Sequence, residues 1–267
     1  MEITEIIKDA AMYPLNHKKE LLIVMAIDLI ITIFGILGNM NLHSLQTDAA
    51  NYLLNVADMI NLGGAYALTN NGIGEAGLIG IIGLIIAYII SFLLIGYGID
   101  IVKLGIQKDD AVPEINPKGQ IINGIKIFII NFIYVIIPTL VMIVLLQVNV
   151  ILGAIVGLIL IISFMFGLLM AQCRLANTGS LGAALNIPEA LKDINNVGIV
   201  KVLAVSIVLF VLAFILDKIL LVIANILGPM GGINFISPIL AAICTGYLFF
   251  FAYRAIGLMY ADNDAYS

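Results

Sequence analysis

The chain has 267 residues, of which 62% are apolar and 11% are charged. A soluble domain carries about a quarter charged residues, and one core cannot enclose so many aliphatic side chains, so this composition excludes a water-soluble globular fold. The net charge of −5 argues against a nucleic-acid partner, because binding to phosphate backbones requires clustered basic side chains.

Six stretches are long and apolar enough to cross a bilayer as helices. A hydrocarbon layer about 30 Å thick requires about 20 mostly apolar residues per helix, with every backbone amide bonded within the segment. The stretches are 21–42, 78–104, 121–147, 150–171, 198–216 and 233–259. They predict an all-α fold, in which residues 1–267 form a single integral membrane domain, a polytopic bundle of transmembrane helices.

The first predicted span contains the acidic residue Asp28. At about 1.5 Å per residue, Asp28 lies roughly 10 Å below the start of the helix, where an ionised carboxylate is costly. One interpretation is ion or proton coupling. The favoured interpretation is a hydrogen bond between helices, or a side chain that reaches back to the surface.

The segment 43–77 follows this span and carries Asp48, Asp58 and Glu75 without any Lys or Arg. Its apolar residues recur at helical spacing with polar residues between them, which predicts an external amphipathic helix that lies at the interface or caps the bundle.

The second and third spans contain three further candidate residues for a polar network. Asp100 precedes Lys103 by one helical turn, so the two side chains are expected to neutralise each other. Asn131 lies inside the third span, where a polar side chain usually joins helices, and Pro138 is expected to bend that span. Only residues 147–149 separate the third span from the fourth, which predicts a tight helical hairpin.

The apolar run of the fifth span is interrupted at Asp217, which is followed directly by Lys218. The two charges are expected to pair with each other. Residues 219–227 then form either an extension of the helix or a separate interfacial helix, and the sequence does not choose between the two.

Lys and Arg residues indicate the orientation of the spans, because cationic loops stay on the cytoplasmic side. Eleven of the 12 fall on one side of a six-span model, and Lys218 is the exception. The sequence therefore predicts a multi-pass protein of the plasma membrane with both termini in the cytoplasm.

One interpretation of the pattern is an internal repeat, which groups the spans into three parallel hairpins with short interfacial helices. Pro14, Pro113 and Pro188 each mark a segment that leads into an odd-numbered span. Each even-numbered span ends with a cation, namely Lys103, Arg174 or Arg254. Selection for cytoplasmic cations and for proline at helix starts would produce part of this pattern without any repetition.

Residues that commonly carry catalysis are scarce. His17 and His43 are predicted on opposite sides of the membrane, and Cys173 and Cys244 are interpreted as apolar fillers. No nucleotide, hydrolase or metalloprotease motif is present, so we expect neither an enzyme nor a cofactor or metal site.

Several short runs resemble a known family. They are Gly96-Tyr97-Gly98, Val112-Pro113-Glu114, Gly124-Ile125-Lys126, Pro138, and residues 173–185, which begin Cys173-Arg174. Together they resemble an uncharacterised archaeal membrane family, domain-of-unknown-function family 4013. The resemblance implies a six-helix fold in an archaeal plasma membrane and transfers no catalytic or ligand residue.

Two functional hypotheses follow. The first is a non-enzymatic membrane component that binds a partner, organises lipid or assists another complex. The second is a transporter or channel for a small or lipid-like solute, with Asp28 in its path. The expected partners are membrane lipids and either another membrane protein or a second copy of the chain.

Overall fold

The structure is a computed structural model. It describes the backbone of residues 1–35, 75–227 and 236–261, and the side chains of residues 1–35, 80–223 and 239–261. Within these residues the fold is all-α, as predicted. The helices in chain order are α1 (Ile3–Asn16), α2 (described over 18–35), α3 (Glu75–Ile106), α4 (Pro117–Val148), α5 (Val150–Thr178), α6 (Leu181–Ala184), α7 (Ile187–Val197), α8 (Ile199–Leu227) and α9 (Ile236–Tyr260).

Five of the described helices are long and apolar enough to cross a membrane. These segments are Gly80–Ile106, Pro117–Val148, Val150–Thr178, Ile199–Ile223 and Ile239–Tyr260. Each overlaps one of the predicted spans. Helix α2 covers residues 21–35 of the first predicted span; the rest of that span, and residues 43–74 of the predicted amphipathic segment, lie outside the described residues.

Helix α8 shows which of the two alternatives for residues 219–227 is correct. Its backbone continues without a break from Ile199 to Leu227, so residues 219–227 extend the fifth span and do not form a separate helix. Charge alone does not end a helix, because long polar side chains can leave its surface without disturbing the backbone hydrogen bonds.

The predicted tight hairpin is confirmed for α4 and α5, which are joined by one residue, Asn149. Its backbone N–H donates to the Leu145 carbonyl at the end of α4. Its side-chain oxygen accepts hydrogen bonds from the backbone amides of Ile151 and Leu152, each at 3.0 Å. One residue therefore satisfies backbone groups of both helices, which is why the connection needs no loop.

Glycines set the close approach of these two helices. A Cβ on Gly153 would overlap the backbone of Leu146, and one on Gly157 would overlap the side chain of Met142. The small-residue spacing from Gly153 to Gly157 is therefore a packing feature of the hairpin.

The chain divides into two compact units. The first unit contains Met1–Ala26 and Phe92–Ser267, and the second contains Ile27–Ser91. The functional candidates below lie in the first unit unless stated otherwise.

Helix α3 contacts α4 and α9 in the first unit at further glycine crossings. A Cβ on Gly96 would overlap the backbone of Gln120, and one on Gly124 would overlap the backbone of Phe92. At the α3–α9 crossing Gly105 faces Gly257, with 3.0 Å between a Cβ built on the former and the Cα of the latter. Backbones that approach this closely leave no space for a side chain.

Two short helices pack on the ends of the long helices. Helix α1 buries Ile6, Ala10 and Tyr13, and contacts α9 and α8. Helix α7 contacts α5 and α8, and buries Ala190, Asp193 and Val197. Each therefore has one face in the core, as an amphipathic helix does. The buried Asp193 is an exception to this apolar face and forms part of the candidate site.

Candidate functional site

The first of two buried arginine clusters joins α1 and α9. Arg254 on α9 is 1% exposed, and its Nε lies 2.8 Å from Oδ1 of Asp9 on α1. Its guanidinium also lies over the ring of Tyr13, 4.7 Å from the centroid. Arginine suits this position, because its planar fork can bind a carboxylate and stack on an aromatic ring at once. We call Arg254, Asp9 and Tyr13 the Arg254 cluster.

The connection between α3 and α4, residues 107–116, is held against this cluster, and we call it the strap. Nη1 of Arg254 donates to the carbonyl of Asp109, and the hydroxyl of Tyr13 donates to the carbonyl of Ala111 at 2.7 Å. Between them, Oδ1 of Asp110 lies 3.8 Å from Nε2 of His17. Three consecutive strap residues are therefore contacted by side chains from α1, α9 and the α1–α2 junction.

The protonation of Tyr13 suits its role as a donor. Burial raises the pKa of the Tyr13 hydroxyl well above its ordinary value, and the nearby Arg254 only partly opposes this effect. Tyr13 therefore stays neutral at physiological pH and keeps the proton that it donates to the strap.

The second buried cluster joins α5, α7 and α9. Nη1 of Arg174 on α5 lies 3.0 Å from Oδ2 of Asp193 on α7, and these side chains are 10% and 1% exposed. The same Asp193 oxygen accepts a hydrogen bond from the hydroxyl of Tyr260 on α9 at 2.7 Å. Nε of Arg174 donates to the carbonyl of Ala183 on α6 at 3.0 Å. We call Arg174, Asp193 and Tyr260 the Arg174 cluster.

A third polar contact joins α3 to the strap and to the start of α4. The side chain of Gln120 is buried, and its Nε2 donates to Oδ2 of Asp100 at 3.1 Å and to the carbonyl of Glu114 at 2.9 Å. Its Oε1 accepts from the backbone amide of Asn116 at 3.2 Å. Gln120 thus fixes the last residues of the strap against α3.

The three contacts share one arrangement. In each, residues that lead into an odd-numbered span bind residues near the end of an even-numbered span: Asp9 with Arg254, Asp193 with Arg174, and Gln120 with Asp100. Arg174 and Arg254, two of the cations predicted at the ends of even-numbered spans, therefore each bind a carboxylate. The three predicted prolines do not occupy equivalent positions, because Pro14 lies in the last turn of α1, Pro188 in the first turn of α7, and Pro113 in the non-helical strap.

The predicted site residues of the first unit have different surroundings. The Asp100 carboxylate accepts a hydrogen bond from Gln120, and the exposed Lys103 also acts on this carboxylate electrostatically. Asn131 is half-buried, and its side chain has no hydrogen-bond partner among the described residues. Asp217 pairs with Lys218 at 2.9 Å, as expected, on the exposed surface of α8.

Asp28 lies in the second unit, on the described part of α2. Its side chain is half-buried, and its backbone carbonyl accepts a hydrogen bond from the Thr32 hydroxyl at 2.9 Å.

Neither carboxylate of the arginine clusters is among the residues predicted from the sequence. Asp9 follows the buried Ile6 by three positions, and Asp193 precedes the buried Val197 by four. Each acidic residue therefore falls on or beside the apolar stripe of its short helix. A carboxylate at such a position is the signal that could have predicted a buried ion pair.

The chemistry of these clusters is that of structural ion pairs. Among the described residues, no group of three or more His, Cys, Asp or Glu side chains is placed to hold a metal ion. Cys173 is buried, and its thiol faces the carbonyl of Ile256 at 3.7 Å. The two arginines hold helix ends together through pairs that lie within the protein.

A family model described as "Protein of unknown function (DUF4013)" matches residues 79–225, a little over half of the chain. This region contains α4, α5, α6 and α7 in full and most of α3 and α8, and so includes Arg174 and Asp193 of the Arg174 cluster. No curated protein and no solved structure matches the chain.

Proposed function

We propose a function from the premise that this chain belongs to the DUF4013 family of proteins of unknown function. The function is that of a non-enzymatic membrane component that presents a rigid, charged end of its helices to a partner protein. The observation that carries the proposal is the pair of buried arginine clusters. They fix α1 and α7 on the ends of long apolar helices with ion pairs of 2.8 and 3.0 Å.

Buried arginines that bind carboxylates within the chain support a structural role better than a catalytic one. A catalytic cation must contact substrate, whereas Arg254 is 1% exposed and already binds Asp9, the strap carbonyl and the Tyr13 ring. Removing one partner of such a pair is costly, because the other charge stays buried. The clusters therefore favour one fixed arrangement of α1, the strap and α7.

The surface at this end supports binding to a polar partner. Seven exposed lysines lie on α1, the start of α2, the end of α3, the strap, α4 and α7: Lys8, Lys18, Lys19, Lys103, Lys108, Lys118 and Lys192. Exposed acidic residues, including Glu2, Glu5 and Glu114, accompany them. A surface of both signs suits a water-exposed protein partner, for which charge complementarity gives specificity. We infer that this end faces the cytoplasm from an archaeal plasma membrane.

Site-specific photo-crosslinking in host membranes tests the proposal. A benzophenone amino acid replaces Lys192 on α7 or Ile115 on the strap, and the matched control position is Phe210, which is 70% exposed on the apolar helix α8. We expect a protein adduct of one defined mass from the first two positions and none from Phe210. Absence of adducts at both Lys192 and Ile115 would contradict the proposal.

The competing function is transport with Asp28 in the path. The test is dissipation of a pH gradient by reconstituted protein and by its Asp28→Asn variant. If the proposed function is right, vesicles with either protein dissipate the pH gradient no faster than empty vesicles. Dissipation that depends on Asp28 would replace the proposed function with transport.

A further inference from the structure

His17 occupies an unusual position between the first two helices. It directly follows α1 and caps it, because its backbone amide donates to the Tyr13 carbonyl. Helix α2 begins at the next residue. Its ring packs edge-on against Tyr13, with 4.8 Å between centroids. Its Nε2 is buried and has no hydrogen-bond partner among the described residues. A buried polar atom without a partner is costly, so its neighbourhood indicates what it could bind.

The carboxylate of Asp110 on the strap lies close to this nitrogen. The distance of 3.8 Å is too long for a hydrogen bond but suits an ion pair once the imidazole is charged. Asp110 is 63% exposed at its side chain, so a rotamer change that closes the gap by about 1 Å meets little resistance. His17 itself is held by Tyr13, so Asp110 is the partner that moves.

We propose that His17 is a pH-sensitive latch for the strap. When the imidazole is protonated, it pairs with Asp110 and adds a third attachment between two that do not depend on its charge. Those two are the contacts of Arg254 with the Asp109 carbonyl and of Tyr13 with the Ala111 carbonyl. When the imidazole is neutral, the strap keeps these two contacts only and moves more freely.

Both signs of charge occur around His17. Asp110 lies 3.8 Å from it, and Asp110, Asp109 and Arg254 all act electrostatically on Tyr13, the ring against which His17 packs. Asp9 on α1 binds Arg254, and Lys18 and Lys19 follow His17 in the first turn of α2. Glu20 follows them on α2 and is half-buried. Histidine is the side chain whose charge ordinarily changes between pH 5 and 8, so the latch is tested at the two ends of this range.

Nitroxide mobility on the strap measures the latch directly. A spin label is attached at Ala111→Cys, whose side chain is exposed, while its backbone carbonyl remains to bind Tyr13. The half-buried Cys244 is changed to Ala, and the buried Cys173 is kept. We expect the ratio of immobile to mobile label to rise by about two- to fivefold between pH 8 and pH 5.5, the range for a partly exposed ion pair.

Three variants separate the latch from other causes of pH dependence. His17→Gln cannot become charged, and Asp110→Asn removes the partner carboxylate without touching a buried residue, so both are expected to lose the pH response. Glu114→Gln alters another exposed carboxylate of the strap and is expected to keep it. A parent protein with no pH response, or a response that persists in Asp110→Asn and His17→Gln, would overturn the proposal. The result does not depend on the proposed partner.

Discussion

The burial of an aspartate decides what its ion pair contributes to this protein. Asp193, Asp9 and Asp217 each lie within 3.0 Å of a cation, but their side chains are 1%, 36% and 68% exposed. An exposed pair gains little, because water and salt screen it and because ordering two side chains costs entropy. A buried pair differs, because removing one member leaves the other charge without solvent. The three residues are all aspartates paired with a cation, and they differ in how far their side chains are exposed.

The first prediction is that Asp193→Ala destabilises the protein strongly. It removes the carboxylate that binds Nη1 of the buried Arg174 and that accepts a hydrogen bond from the Tyr260 hydroxyl. We expect a loss of about 3–5 kcal/mol in the free energy of unfolding, the range for a broken buried pair. Unfolding by sodium dodecyl sulfate in mixed micelles, followed by circular dichroism, measures the change.

The matched control is Asp217→Ala, which removes an exposed carboxylate from the Asp217–Lys218 pair. Its expected effect is below about 0.5 kcal/mol. Equal losses for the two variants would show that Asp193 contributes no more than a surface residue and would remove the structural role assigned to the Arg174 cluster.

Helices in this protein meet where glycines remove side chains from both sides of a crossing. At the α3–α4 crossing, Gly96 faces the backbone of Gln120 and Gly124 faces the backbone of Phe92. Helices surrounded by lipid gain little from burying apolar side chains, so close backbone packing supplies much of their attraction. The same crossing positions Gln120 to bind Asp100. Packing and polar contact are therefore coupled at this crossing.

The second prediction is that Gly96→Ala separates α3 from α4. The added methyl group would overlap the backbone of Gln120, which cannot move aside as a flexible side chain can. We expect a loss of about 1–3 kcal/mol in stability, typical of overpacking. The measurement is the same detergent unfolding. Gly182→Ala is the control, because the nearest atom to its added Cβ is the Ser180 hydroxyl at 3.8 Å; a loss at Gly182 equal to that at Gly96 would contradict the steric explanation.

The sequence predicted where the helices lie along the chain better than it predicted which helices contact one another. The apolar runs predicted the long helices, and the short connection at 147–149 predicted the α4–α5 hairpin, because both properties are local. The extension of α8 past Asp217 was not predictable, since an exposed Asp–Lys pair leaves the backbone hydrogen bonds of a helix unchanged. The local Asp100–Lys103 spacing indicated Lys103 as a partner of Asp100, but it did not indicate Gln120, twenty positions away, which donates a hydrogen bond to the carboxylate.

The partners in the arginine clusters could not be predicted, because they are distant in the sequence. Asp9 and Arg254 are 245 residues apart, and Asp193 and Tyr260 are 67 apart. Helical periodicity indicates which face of α1 or α7 is buried but does not indicate which helix that face meets. Contacts between distant elements depend on the packing of the whole chain.

At the scale of the whole molecule, each of the three polar contacts joins the residues before one predicted span to the end of another. The contact before the third span binds the end of the second span, and the contact before the fifth span binds the end of the fourth. The contact before the first span binds the end of the last, which joins α1 to α9. The grouping into three hairpins stays a prediction; the three polar contacts recur along the chain in the order that this grouping expects, whereas the prolines do not occupy equivalent positions.

The orientation of the hairpins gives the last prediction. If these contacts lie in the cytoplasm, the α4–α5 turn must lie outside, because one full span separates it from the strap. Cysteine is introduced at Lys108 on the strap or at Val148, which is 75% exposed beside the turn. An impermeant maleimide applied to intact cells is expected to label the cysteine at 148 and not the one at 108, and both should react after lysis. The six-span model predicts eleven of the 12 Lys and Arg residues on the side of Lys108, so the reverse labelling would contradict the predicted orientation and the rule that retains cationic loops in the cytoplasm. Labelling of both in intact cells would contradict the spanning of α4.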